Sequence, residues 1–180
     1  MLGRQGARMR VHLGLGSNLG DRWAQLARAI DALRLVGEDV MVSPVYEAAP
    51  VGGPAGQGPY LNCVVRLILD LAPGQVLELA QALEKEAGRT REVRWGPRTL
   101  DVDVLFLETE EAPGSWRLVE LASGDLVVPH PRLLERAFVL APLADVSPGL
   151  VDPGWQERLG GEEAVGMAVR RVGEIVVGSR

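Results

Sequence analysis

Tyr60-Leu61-Asn62-Cys63-Val64-Val65-Arg66-Leu67-Ile68-Leu69 decides the fold, because no other run in the chain alternates so cleanly over such a length. A strand sends successive side chains to opposite faces. One face here carries Tyr60, Asn62, Val64, Arg66 and Ile68, and the other carries Leu61, Cys63, Val65, Leu67 and Leu69. The second face is apolar throughout, so Cys63 reads as core filler rather than as a nucleophile.

Working outward, Pro73 can open a helix at its first turn. Val76, Leu79, Leu83 and Ala87 form the apolar stripe of that helix, and Gly88 supplies a left-handed terminator. An arginine-rich loop follows, then a strand over Leu100 to Leu107. On the other side lies Ala49 to Pro59, too rich in Gly and Pro for regular structure, which reads as a lid or binding loop. Before it, Val40 to Glu47 predicts a strand. Trp23, Leu26, Ile30 and Leu33 predict a helix started by Asp21 and ended by Gly37, and Val11 to Gly16 predicts a buried first strand.

The resulting order, β-α-β-β-α-β, is that of an α+β, ferredoxin-like fold: an antiparallel sheet with both helices on one face. C-terminal additions are expected beyond it. Trp116 to Glu120 and Leu126 to Val128 read as short strands, and Pro131 to Leu140 and Glu162 to Arg171 as helices. The chain therefore divides into a loose extension over residues 1–10, a main domain over 11–150, and an appendage over 151–180 packed on or beside that domain.

A length of 180 residues suits one domain, and 47% apolar with 24% charged residues is ordinary for a globular protein. No segment has the uninterrupted apolar length of a membrane span, and the N-terminus lacks the apolar stretch of a signal peptide. The single cysteine fits a reducing, cytoplasmic setting. One Cys and two His, His12 and His130, make a Cys/His zinc site untenable, so a metal must be held by carboxylates. A net charge of −5 gives no general attraction for nucleic acid. Against that background Arg89, Arg91, Arg94 and Arg98 face the single acid Glu92, a local +3 suited to a triphosphate.

Asp101 and Asp103 lie two apart in the predicted strand and so leave the same face. Like charges this close repel, and Asp is disfavoured in strands; a divalent cation removes both objections. Leu100, Val102, Val104 and Phe106 make an apolar opposite face that anchors the strand. The alternative is a pair of exposed acids on a sheet edge. Other nucleotide cradles are missing. The only lysine, Lys85, sits in a helix, so there is no Walker loop, and Gly14-Leu15-Gly16-Ser17-Asn18-Leu19-Gly20 has one residue too many for a dinucleotide fingerprint.

Arg94-Trp95-Gly96-Pro97-Arg98-Thr99-Leu100-Asp101-Val102-Asp103-Val104-Leu105 resembles the signature of the 6-hydroxymethyl-7,8-dihydropterin pyrophosphokinases. Gly14 to Gly20, Tyr46 to Gly52, Tyr60-Leu61-Asn62 and Val128-Pro129-His130-Pro131 agree in order and spacing. The resemblance implies transfer of pyrophosphate from ATP to the hydroxymethyl group of a reduced pterin alcohol, with release of AMP, in folate biosynthesis. It implies two Mg2+ ions on Asp101 and Asp103, and Arg89 and Arg98 as catalytic arginines. ATP would be contacted by Gln81, Glu84, Arg91, Arg94, Trp95, Arg98, Val104, His130 and Arg136. The pterin would meet Ala48, Val51, Tyr60, Asn62, Trp95 and Phe138. Read without it, Tyr60 and Phe138 pass for core, His130 for a turn residue, and Trp95 for loop packing. The competing activities are a γ-phosphate kinase and an RNA- or ligand-binding module; an acidic chain with 4% aromatics suits RNA poorly. A monomer without nucleic-acid or membrane partners is expected.

Overall fold

The computed structural model describes residues 8–51, 54–88, 97–132, 135–159 and 168–175. Strand β1 (Arg8–Ser17) buries Met9, Val11, Leu13 and Leu15, each at most 2% exposed. It begins three residues inside the segment expected to be loose, because Met9 has a place in the core.

Helix α1 (Arg22–Val36) starts where the Asp21 carboxylate accepts a hydrogen bond from the Ala24 N–H at 3.0 Å. It buries Leu26, Ala29, Ile30 and Leu33, while Trp23 stays partly exposed. Gly37 ends the helix in extended rather than left-handed backbone. Glycine is needed there for space, since a Cβ would lie 2.6 Å from Leu67 Cδ1.

The single strand expected next is divided at Ser43-Pro44 into β2 (Glu38–Val42) and β3 (Val45–Ala48). Pro44 has no N–H for a ladder. Ser43 bridges the break: its Oγ accepts from the Val64 N–H at 2.9 Å, which keeps both pieces on β4 (Tyr60–Asp70). Helix α2 (Pro73–Glu86) opens at Pro73, and Gly88 at φ 71° supplies the left-handed terminator. Val76, Ala80, Leu83 and Glu84 are its buried residues; Leu79 and Ala87 are only partly covered.

Strand β5 (Asp101–Ala112) turns back into β6 (Ser115–Leu118), and β7 (Leu121–Ser123) pairs with β8 (Leu126–Val128). Helix α3 (Ala137–Val146) starts six residues later than expected, after the turn at His130 to Arg132. Helix α4 (Trp155–Arg158) is one turn long. Val169–Gly173 forms β9, although Glu162 to Arg171 reads as a helix; part of that segment lies outside the described residues. Pairing with the open edge of β3 overrides the local preference.

The main sheet runs β6-β5-β1-β4-β3-β9, with β2 also on β4, and every pairing is antiparallel. Helices α1 and α2 share one face with Leu61, Cys63, Val65, Leu67 and Leu69, as the alternation of β4 predicts. This is the ferredoxin-like arrangement. Helix α3 covers the other face against Val64, Leu105 and Phe106. Beyond the expected main domain, β9 joins the sheet itself.

One irregularity changes the faces of β5. Its ladder with β1 slips so that His12 pairs with Phe106 but Leu13 with Val104, leaving Leu105 as the extra residue of a bulge. Val102 and Val104 therefore face the helices, while Phe106 turns to the α3 side. The expectation that Phe106 shares a face with Val102 and Val104 fails for this reason.

Phe106 meets the fully buried His12 edge-on at 6.2 Å. Burial, then Arg66 and Arg10, push the His12 pKa down to about 3, so the ring is neutral in the fold and bonds Ser147 Oγ at 2.7 Å. Below pH of about 6.5 the unfolded chain takes up a proton that the folded chain refuses. The stability His12 contributes is present above that pH and is lost as pH falls towards 3. Denaturant titrations should show a loss approaching 1.4 kcal/mol per pH unit in this window, and His12→Gln should flatten that slope.

Candidate active site

A cleft of about 750 Å³ lies on the α3 face of the sheet, where the end of β1 meets the starts of β4 and β5. Its floor is Gly14 and Gly16. A Cβ on Gly16 would stand 3.2 Å from Asn62 Oδ1, and one on Gly14 would stand 3.3 Å from the Leu105 side chain. The glycines are there for close approach: they let Asn62, Tyr60 and Leu105 lie over β1.

One wall is charged. Asp101 and Asp103 both line the cleft, as their spacing predicts. Arg98 Nη1 lies 2.6 Å from Asp101 Oδ2, and Arg136 Nη1 lies 3.4 Å from Asp103 Oδ2. Burial, and then the neighbouring Asp101, raise the Asp103 pKa; His130, Arg136 and Arg98 pull it back only in part. His130 stands behind Asp103, with Nε2 4.0 Å from Oδ1. Its own pKa is lowered by burial, which outweighs the attraction of Asp103. The Arg132 N–H donates to His130 Nδ1 at 3.2 Å. The neutral ring therefore carries its proton on Nε2, towards the carboxylate.

The opposite wall is flat and mostly neutral. Ala48 comes from the end of β3, Val51 from the β3–β4 connection, Tyr60 and Asn62 from β4, and Phe138 from α3. The Arg136 guanidinium lies 5.7 Å over the Phe138 ring, so one arginine touches both walls. Asn62 is 7% exposed, and its Nδ2 has no hydrogen-bond partner among the described residues. A buried amide in that state suits a ligand that offers an acceptor.

Besides His130, which stands behind Asp103, three expected contacts do not line the cleft. Val104 is packed in the core beneath α1 and α2, on the opposite face. Glu84, also buried there, accepts the Val102 N–H at 2.9 Å and so holds the start of β5. Gln81 is exposed on α2. Arg89, Arg91, Arg94 and Trp95 lie outside the described residues.

Asn18 is a residue beside the site that sequence reasoning did not single out. Its Oδ1 accepts the Arg98 N–H at 2.8 Å, its own N–H donates to Arg98 O at 3.1 Å, and its Nδ2 donates to Gln57 Oε1 at 3.2 Å. It thus fastens Arg98 to the β3–β4 connection across the mouth of the cleft. The signal was its place in the Gly14 to Gly20 run.

No group of three or more His, Cys, Asp or Glu able to hold a metal occurs among the described residues. Two adjacent carboxylates still suit magnesium, which retains water and is commonly held by one or two carboxylates together with substrate phosphates. The class follows from these two walls. This is the site of an α+β transferase, with one charged side and one mostly neutral side.

Residues 12–148 match the family model for 7,8-dihydro-6-hydroxymethylpterin-pyrophosphokinase. A Bacillus subtilis 2-amino-4-hydroxy-6-hydroxymethyldihydropteridine pyrophosphokinase is 44% identical over 138 residues, covering 76% of this chain and 77% of the relative. A Pseudomonas aeruginosa protein of the same name is 44% identical over 143 residues, covering 78% and 82%. The solved Plasmodium falciparum HPPK-DHPS aligns with a TM-score of 0.55 at 12% identity, over 80% of this chain and 42% of that one, a likeness of fold. The chain belongs to the 7,8-dihydro-6-hydroxymethylpterin-pyrophosphokinase family.

Asn18→Ala removes the acceptor of the Arg98 N–H. Turnover should fall about tenfold, the scale of one buried hydrogen bond left unmade. A rate within twofold of the unsubstituted protein would show that Asn18 does not position Arg98.

Proposed function

We propose that ATP and a reduced pterin alcohol bind side by side in this cleft, the triphosphate along the charged wall and the pterin against the neutral one. The chain transfers pyrophosphate from ATP to the hydroxymethyl group of 6-hydroxymethyl-7,8-dihydropterin, a step of folate biosynthesis. A volume of about 750 Å³ is in the range of small-molecule sites. The observation that carries the reading is the meeting of Asp101, Asp103, Arg98 and Arg136 with Tyr60, Asn62 and Phe138 in one cavity.

The pterin hydroxyl attacks the β-phosphorus of ATP in line, and AMP leaves. No side chain need form a covalent intermediate, so the protein's task is positioning and neutralisation of charge. Asn62 donates its free amide hydrogen to an acceptor on the pterin edge. Phe138 and Tyr60 pack on the ring, and backbone groups of Ala48 and Val51 complete its edge. Arg98 and Arg136 place guanidinium charge beside the phosphates, where their planar forks match phosphate oxygens. His130 presents Nε2–H to the same side. Asp101 and Asp103 would hold two Mg2+ ions, which would supply positive charge to offset that of the triphosphate.

Arg89, with Arg98, completes the catalytic set in this reading, and Arg91, Arg94, Trp95, Gln81, Glu84 and Val104 remain assigned to ATP on the resemblance alone; the last three do not line the cleft. The protein acts as a monomer in the cytoplasm, without nucleic acid or membrane. No helix among the described residues is long and apolar enough to cross a membrane.

Incubating the protein with ATP, Mg2+ and the reduced pterin alcohol should yield pterin-dependent AMP; ADP would mean a γ-phosphate kinase instead. Asp101→Asn and Asp103→Asn should each cut turnover by at least about a thousandfold. Because the Asp103 pKa is raised, ionising it disfavours the ligand-free fold, so Asp103→Asn should keep or raise the melting temperature at pH 7. Full activity in both variants would remove the metal assignment.

A further inference from the structure

Arg22, the first residue of α1, does not line the cleft, yet it binds both legs of a segment that does. Its Nη1 donates to the carbonyl oxygen of Pro59 at 2.7 Å and to Glu47 Oε2 at 3.3 Å. Glu47 lies in β3 just before the β3–β4 connection, and Pro59 is the last residue before β4. Between those legs the chain contributes Ala48, Val51 and Gln57 to the cleft. The connection spans residues 49–59, far longer than a tight hairpin turn, so turn geometry alone does not set its path.

Glu47 is held from its other side as well. Its Oε1 accepts from Arg170 Nη2 of β9 at 2.8 Å, and the carboxyl is kept below its usual range by Arg170 first and by Arg22 after burial is offset. A surface ion pair alone carries little energy. Here the pair sits on a short charge-assisted bond from a guanidinium to a main-chain carbonyl, which is stronger and directional.

We propose that Arg22 is a positioning residue that ties the two legs of the β3–β4 connection together and thereby holds Ala48 and Val51 in place within the ring-binding wall. The link to catalysis rests on assigning that wall to the pterin. Arg22 is not among the residues that line the cleft beside the carboxylate pair, so its effect is selective for one substrate.

Hydrogen–deuterium exchange over residues 47–59 and steady-state kinetics test this on the full chain. Arg22→Ala should speed exchange in that segment about tenfold. It should also raise the KM for the reduced pterin alcohol about tenfold, leaving the KM for ATP within twofold. Arg22→Lys keeps a donor for Pro59 and should recover most of both effects. Unchanged exchange over 47–59 in Arg22→Ala, or equal rises in both KM values, would overturn the proposal. Faster exchange with an unmoved pterin KM would leave the tie standing and remove the pterin from that wall.

Discussion

Two carboxylates held side by side at the partly buried start of a strand repel each other, and much of the architecture around them answers that repulsion. Asp101 and Asp103 project from β5 into one cleft, with Arg98 and Arg136 against their outer oxygens and His130 behind. The cations offset the repulsion only in part, since the Asp103 pKa remains raised. Such a site is poised for more positive charge than the described residues supply. Its strand can bear the strain because Val102 and Val104 are locked into the helix-side core and Glu84 holds the Val102 N–H.

The sheet divides labour between its faces. Helices α1 and α2 bury one largely apolar face, where Glu84 is satisfied by the Val102 N–H, and that face supplies the stability. The α3 face carries the irregular features: glycines in β1, a bulge in β5, Asn62 with an unpaired amide and the neutral His12. Departures from ideal packing collect where a ligand has to be met, and a rigid face opposite makes them affordable.

What could be read from the residues followed physical periodicity. The two faces of β4, the order of the first elements, the shared face of Asp101 and Asp103, and the glycine terminator at Gly88 all rest on spacings of two or on one backbone preference. Phe106 could not be placed correctly, because the slip at Leu105 is a property of the pairing with β1 and leaves no trace in β5 alone. Gln81 and Glu84 share a helix, but one is exposed and the other is committed to a backbone amide, a distinction set by tertiary contacts. Asn18 escaped notice since its partners, Arg98 and Gln57, are both distant in the chain. Val169 to Gly173 became a strand only because an open edge was available to it.

The bulge at Leu105 also sets how the chain tolerates changes in length. Upstream of it, odd-numbered residues of β5 face the cleft; downstream, even-numbered ones such as Phe106 and Glu108 occupy that side. Removing one residue between Asp103 and Glu108 would restore uniform alternation and swing either the acids or the far half of the strand through the sheet. The hairpin beyond Glu110 carries no such parity. Inherited insertions and deletions should therefore gather there, leaving the few residues beside the carboxylates unchanged in number.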